Sequence, residues 1–500
     1  MFHPRPTLLR CIIIAFLLIP ALSIAEPVSV VFMVPAEQQI VNDPLPLYRL
    51  VEDSSEIDQY LAWMDNEPAR YALGLYDMAR TVVESTGRPC SQPPEFYIAL
   101  EPGGNYADLG FRLKRGDDIS SYPNIAYLKL GPREWRFDIT LLHETGHAVV
   151  KILASGNDLP KKRIASISHS TAALTNRTTA FDEGFAIHLE TLAIHLSDDR
   201  HLRNKYRHEQ SLFGTWPGFL AEYYRQSSDL MSYSQSVARY YSVRENAFAF
   251  ESACQQPDYL RVQLEKERDY STLRNANQLL QSEGFYASFF FSLMTQGKSL
   301  PTAEVVVERR DRMLAALQGT LSDYESLGPD TPYLLRFVES YRNLFPEEAA
   351  QIVDILLDLS HGVFIDSNAD NLWREHYLAA LRLDQNKKDR ERIEAIREAW
   401  RIEALNNPQV LYSRLGPQIV CTVDQAIVEL PIFNLKNPVS FDANTAQKGI
   451  LRLIPGITEA EVDSWIQARQ QTPFASVDDL STRCGLRSET LDQLSSDEDR

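Results

Sequence analysis

The stretch LLHETGHAVV, residues 141–150, places His143, Glu144 and His147 within five positions. Residues four apart on an α-helix share a face, so the two imidazoles can offer themselves to one ion. Glu144 stands beside the first imidazole, where its carboxylate can reach a water on that ion instead of the ion itself. The flanks read as helix, because Phe137, Leu141, Ala148 and Ile152 recur at helical spacing. Gly146 sits inside that helix at a cost of about 1 kcal/mol relative to alanine, which implies that a neighbour needs the room. Two histidines and a carboxylate in this pattern are the donors and the base that zinc-assisted hydrolysis requires.

Upstream, NIAYLKLG (124–131) runs almost directly into this helix and alternates as a strand. Ala126, Leu128 and Leu130 share one face, with Ile125, Tyr127 and Lys129 on the other. EFYIAL (95–100) is a second strand, followed by the turn EPGGN, and residues 57–87 read as helices closed at Gly87. From about residue 180 the pattern is nearly all helical. AFDEGFAIHLETLAIHL (180–196) is one strong candidate, and ANQLLQSEGFYASFFFSLMTQ (276–296) is another, aromatic enough to be buried. Residues 301–406 hold several amphipathic helices separated by GPDTP and DSNAD. NKKDRERIEAIREAWRIEAL (386–405) is charged enough to be a solvated surface helix. Residues 408–440, with four prolines, read as a joining segment with short strands. There is no long repeat and no low-complexity tract.

The first 25 residues have the order of a secretory signal peptide: Arg5 and Arg10, an apolar run from Cys11 to Leu22, then small residues before Glu26. Cleavage after Ala25 is expected, which leaves no span able to cross a membrane and places the mature chain in the periplasm or outside the cell. The full chain has a net charge of −18, and removal of that segment takes it to about −20. Such an excess of acid argues against nucleic acid or an anionic membrane surface as main partner. Cys90, Cys254, Cys421 and Cys484 permit two disulfides in an oxidising compartment, with the pairing left open. No CxxC spacing exists, so a cysteine metal site is not expected.

A hydrolytic zinc site needs a third protein ligand and one open position. Glu183, in FDEGFA and 36 residues after His147, is the best candidate. Glu283, in the echo SEGFYA, competes with it, and His169 and His188 are weaker candidates. His188 lies about 140° round the helix from Glu183, so it reads as a structural histidine. HETGH followed by a helix bearing Asp-Glu-Gly-Phe-Ala resembles the gluzincin metallopeptidases over roughly residues 95–300. That resemblance implies His143, His147 and Glu183 as ligands of Zn2+ and Glu144 as general base. It also implies an edge strand, residues 124–130, that holds an extended peptide or protein substrate. Position 187 is Ile, so the variant with Asp four residues after the ligand is absent, and no substrate-anchoring motif precedes the strand. A donor for the developing oxyanion is also required, with Tyr240, Tyr241 and Tyr286 as candidates and Tyr241 and Tyr286 preferred.

Residues 441–486 have a separate logic. Asn444 and Thr445 can cap a helix ending near Ile454, Pro455-Gly456-Ile457 makes a tight hairpin, and Thr458 with Glu461 forms a capping box. The unit resembles the helix-hairpin-helix of bacterial competence DNA-binding proteins and of general secretion pathway K proteins. Thr458 replaces the second glycine of the DNA-binding hairpin, and residues 441–500 carry six basic groups against eleven acidic ones. A protein-docking or stabilising module, cored by Ile454, Ile457, Val462, Trp465 and Ile466, is therefore expected instead of a nucleic-acid surface.

The expected fold is α+β: a zincin-like catalytic domain at 26–300, with a small sheet, an active-site helix and then mostly helix. An α-helical extension follows at 301–415, then a linker and helix-hairpin-helix domain at 416–500. The expected function is that of an exported zinc peptidase. The alternative is a cell-envelope scaffold or adaptor with a structural or vestigial metal site, and a DNA-uptake factor is a third possibility.

Overall fold

The alternation read in residues 124–131 belongs to a longer strand, Asp118–Leu130, and each of its faces meets a different core. The computed structural model describes residues 28–37, 44–88, 90–131, 139–160, 175–196, 200, 274–295, 303–366, 369, 387–423, 429–430, 433–434, 439–446, 451–452 and 454–496. The expected signal peptide lies outside the described residues, and among those residues no helix is long and apolar enough to cross a membrane.

Strands β1 (Ser29–Pro35), β2 (Leu47–Leu50), β3 (Glu95–Leu100), β4 (Tyr106–Arg115) and β5 (Asp118–Leu130) close into a barrel of order β1-β2-β4-β5-β3. Ile125 and Tyr127 point into it with Met33, Tyr48, Tyr97, Ala99, Phe111 and Leu113. Ala126, Leu128 and Leu130 face outward into the helical core, as the alternation predicts. The sequence pattern does not mark β1, β2 or β4. β2 has four residues, and β4 shifts register between Leu109 and Phe111, which breaks its alternation.

Closure overturns one expectation. Residues 124–130 are not an edge. Tyr127 to Leu130 pair with β3, and Ala126 to Lys129 pair with β4. Before that, the Gln92 amide accepts from the Ala126 N–H at 2.8 Å and donates to the Asn124 carbonyl at 2.7 Å. The main-chain groups that would bind an added peptide strand are already used.

Helices α1 (Ser54–Trp63) and α2 (Glu67–Ser85) lie between β2 and β3 in the chain. After β5 come α3 (Ile139–Leu153), α4 (Arg177–Leu196), α5 (Ala276–Leu279), α6 (Glu283–Thr295), α7 (Ala303–Leu321), α8 (Tyr333–Leu344), α9 (Ala349–Ser360) and α10 (Lys387–Asn406). The helix read over 276–296 is divided into α5 and α6, and every residue of α6 is buried. The helices after residue 300 share the core of those before it: Phe290 meets Phe337 at 5.2 Å, and Phe181 stacks on Tyr333 at 4.9 Å. The segment 301–415 is therefore continuous with the preceding core. On α10, Ala404 alone is buried among the described side chains, which fits a solvated helix.

The chain then forms β6 (Val420–Val423), a two-stranded ribbon of β7 (Glu429–Leu430) and β8 (Phe433–Asn434), and β9 (Val439–Asp442). Helices α11 (Glu459–Gln471), α12 (Val477–Cys484) and α13 (Ser488–Leu491) precede β10 (Leu494–Ser496), and the three-stranded sheet runs β10-β6-β9. Ile454, Val462 and Trp465 are buried, as expected, while Ile457 and Ile466 are half-buried. Cys90, Cys421 and Cys484 are free thiols, and Cys254 lies outside the described residues.

Two glycines let α4 pack between α3 and α6. A Cβ on Gly146 would lie 2.9 Å from Leu189 Cδ1 and 3.1 Å from Ala186 Cα. A Cβ on Gly184 would lie 2.4 Å from Tyr286 Cβ and 2.7 Å from the Glu283 carbonyl oxygen. Gly184→Ala should therefore destabilise the protein by about 1–3 kcal/mol, as overpacked cores do. Gly328→Ala, at a position with nothing within 4 Å, should be near neutral. Urea midpoints compare the two, and equal midpoints would rule out the close α4–α6 contact.

Candidate metal centre

Two turns of α3 and two turns of α4 face each other across the Gly146 contact. His143 Nε2 and His147 Nε2 lie 3.1 Å apart. Glu183 Oε2 lies 3.6 Å from the first and 3.4 Å from the second. Adjacent ligand atoms of a tetrahedral ion bound at about 2.0–2.1 Å are themselves about 3.3–3.4 Å apart, so the triangle has the size such an ion needs.

The far side of each imidazole is also engaged. His147 Nδ1 contacts Asp182 Oδ1 at 3.0 Å. His143 Nδ1 lies 2.7 Å from Glu190 Oε1, although its N–H is not aimed along that line. A carboxylate at Nδ1 holds the proton there and leaves Nε2 bare. Two bare nitrogens and a carboxylate oxygen then converge on one point in a buried setting. Such a set repels itself unless a cation stands between its members.

The electrostatics of the cluster carry the same demand. Burial lowers the pKa of His147, but Asp182 and Glu183 outweigh it and hold the ring well above the ordinary imidazole range. Burial opposes the charged form of His143 too, and Glu190 beside it, with Glu144, shifts the balance upward. Burial raises Asp182, yet its pairing with His147 leaves that carboxyl below its ordinary value.

Glu144 belongs to the same cluster: one carboxylate oxygen and the two imidazoles offer atoms within 4.8 Å of one another. It is 5% exposed, and its Oε2 has no hydrogen-bond partner among the described residues. Burial raises its pKa, with the two histidines pulling back and Glu183 and Glu190 pushing further up. A carboxylate beside the triangle of His143, His147 and Glu183, and poised upward, is suited to accept a proton.

The remaining sequence candidates separate by helix face. Residues 182, 183, 186 and 190 of α4 look toward α3, while 177, 181, 184, 185 and 188 look the other way. Tyr286 packs on that second face, against Phe181 at 5.8 Å and over Gly184. It is fully buried there, and desolvation holds its hydroxyl above the ordinary tyrosine range. Tyr286 is thus a core aromatic and not an oxyanion donor. Glu283 meets α4 on the same Gly184 side, so the imidazoles face Glu183 and not Glu283. His188 is buried between Phe185 and Phe290, with burial taking its pKa down to about 3, and it stays neutral as a core residue. Tyr240, Tyr241 and His169 lie outside the described residues.

Sequence reasoning missed Asp182 and Glu190 as partners of the two imidazoles. A signal existed: Asp182 precedes Glu183 directly, and Glu190 follows it by seven residues, two turns along the same face. At position 187, where one variant of the resembled pattern carries Asp, stands Ile, and Glu190 lies beside the His143 imidazole from one turn further on.

At the C-terminal hairpin, the amides that would hold a phosphate are occupied. The Ile457 N–H donates to the Ile454 carbonyl at 3.1 Å, and the Thr458 N–H to Glu461 Oε2 at 2.8 Å. Glu461 completes the capping box read from the sequence and also takes Arg487 at 3.0 Å. This holds its carboxyl far below the ordinary range despite burial, so a fixed negative charge sits where a phosphate would have to bind. The family model described as Type II secretion system (T2SS), protein K matches residues 441–497. No curated protein and no solved structure matches the chain.

Proposed function

We propose that this protein is an exported zinc-dependent peptidase, with its catalytic site on α3 and α4 and its C-terminal unit serving an envelope assembly. The observation that carries this reading is the meeting of His143 Nε2, His147 Nε2 and Glu183 Oε2 within 3.6 Å, with a carboxylate behind each imidazole. When bound, zinc supplies Lewis acidity, which polarises a carbonyl and brings the pKa of a coordinated water toward neutrality. Glu144 takes the proton of the attacking water and hands it to the leaving amine. Asp182 and Glu190 keep both rings in the tautomer that presents Nε2. Burial of Glu144 serves the same end, since a carboxylate lifted from its usual range is a better base and then a competent acid.

A second reading has a specific observation in its favour. The family match at residues 441–497 lies in the C-terminal unit, and it supports a cell-envelope scaffold or adaptor; in that reading the metal site is structural or vestigial. Both readings place the chain in the periplasm or outside the cell, in a protein assembly and not on nucleic acid. Glu144 separates them: a structural site closes its fourth position and has no use for a buried carboxylate beside it.

Two outcomes follow for the purified chain. Glu190→Gln and Asp182→Asn should each weaken zinc binding about 10–100-fold, because each frees an imidazole that it now orients. Competition against a chromogenic chelator measures this, and wild-type affinity in both variants would remove these carboxylates from the site. Glu144→Gln should keep its zinc and lose peptide hydrolysis by about 10²–10⁴-fold. If wild-type protein binds zinc but cleaves nothing across a broad peptide library, the scaffold reading takes its place.

A further inference from the structure

The C-terminal unit is joined to the foot of α4 by buried polar contacts from both sides of the junction. The Asp442 carboxylate, 1% exposed, accepts from the Gln281 side chain at 2.7 Å through one oxygen. Its other oxygen accepts from the Asn444 N–H at 2.9 Å and the Ile419 N–H at 3.2 Å. Thr445 Oγ1 donates to the Gln281 amide oxygen at 3.2 Å, and the Gln278 amide donates to the Thr445 carbonyl at 3.2 Å. The main chain of Gln281 in turn accepts from the Thr175 N–H at 2.8 Å, immediately before α4 begins. Asn176 follows and caps the helix through the Thr179 N–H at 2.8 Å.

Arg177, the first residue of α4, makes the second link. It is 2% exposed and donates to Asn277 Oδ1 at 2.8 Å, to the Gly416 carbonyl at 2.7 Å and to the Asp330 carbonyl. Gly416 is held against the C-terminal unit, since a Cβ there would lie 2.4 Å from Pro473 Cβ. Asn444 ties the two strands of this corner by donating to the carbonyls of Pro417 and Phe474, each at 3.0 Å.

A helix is stiff over two turns. From Arg177 to Glu183 is about 9 Å of helix, so fixing the tilt and rotation of its first turn fixes where the Glu183 carboxylate arrives. Polar contacts of this kind set angle and register, whereas an apolar interface can slide. We infer that the C-terminal unit is a positioning element of the metal centre: Asp442 and the Arg177 junction orient α4 so that Asp182, Glu183 and Glu190 meet the two imidazoles. This rests on the metal-site reading above. It assigns the unit a role within its own chain, whatever protein it also docks.

The test uses the full chain. Asp442→Asn turns one oxygen into an amide that faces the Gln281 amide donor, and the double variant Asp442→Asn/Gln281→Glu restores a donor opposite an acceptor. Glu461→Gln loosens the hairpin away from the junction and serves as the control. We expect Asp442→Asn to lose zinc affinity about 10-fold or more and to change the visible absorption of bound Co2+. The double variant should recover both, and Glu461→Gln should lower Tm while leaving both unchanged. Gln281→Ala should follow Asp442→Asn to a smaller extent, and it stands in should that variant not fold. Wild-type affinity and spectrum in Asp442→Asn and Gln281→Ala overturn the inference, as does an equal loss in Glu461→Gln. Hydrogen exchange of residues 177–183 in metal-free protein is read in parallel. Faster exchange in Asp442→Asn supports the junction even if wild type binds no zinc, an outcome that would defeat the metal-site reading alone. Unchanged exchange overturns the junction.

Discussion

Helix α4 is gripped on two faces by backbone-close contacts, and the rest of the structure depends on that grip. Gly146 admits it against α3, and Gly184 admits it against α6. Interiors are close-packed and cannot absorb a misplaced methyl group without shifting. Each glycine therefore sets a distance, and the two distances together set the position of α4. One face of α4 then presents Asp182, Glu183 and Glu190 to the histidines of α3, while the opposite face sinks Phe181, Phe185 and His188 into an aromatic core. α4 is thus divided between a charged face and an apolar buried face.

Electrostatics turns that packing into a site. Four carboxylates and two imidazoles lie within one buried cluster, and buried charge is costly unless paired. The carboxylates are distributed unequally. Asp182 and Glu190 sit behind the rings, Glu183 closes the triangle, and Glu144 is left outside it with a raised pKa. In the proposed function, roles follow from place: orientation behind the rings, coordination in the triangle, proton transfer beside it. A helix bearing the same residues with Glu183 turned by one position would bring none of this together, because each position is about 100° of rotation.

The parts legible in the sequence are those carried by local periodicity. His143, Glu144 and His147 declare themselves by a spacing of four, the faces of β5 by a period of two, and the C-terminal capping box by Thr458 and Glu461 three apart. Errors arose where a neighbour distant in sequence decides the outcome. Residues 124–130 read equally well as an edge or as an interior strand, because alternation reports which face is apolar and not who pairs alongside. SEGFYA echoes DEGFA in letters, yet Gly184 packs against the turn bearing Glu283, so the echo belongs to a helix contact and Tyr286 to the core. Glu190 looks like an ordinary solvated glutamate until the helix facing it is known.

The junction at Asp442 was the least legible feature, since its partners lie 161 residues apart in the chain and neither residue type is unusual for a surface. Its physical character still says what it is for. A stabilising interface is most simply built from apolar area, because burial of polar groups gains little net free energy and penalises any misfit. Here a carboxylate, two glutamines, two asparagines and an arginine are buried and hydrogen-bonded across the junction, with Arg177 Nε left over among the described residues, and Arg177 carries its charge among carbonyl oxygens within reach of the Asp442 field. Such an arrangement tolerates one relative orientation and few others. Ligand geometry is sensitive at the scale of about half an ångström, so a junction selective for orientation has its natural use at the foot of the helix that carries Glu183, the third ligand of the proposed metal site.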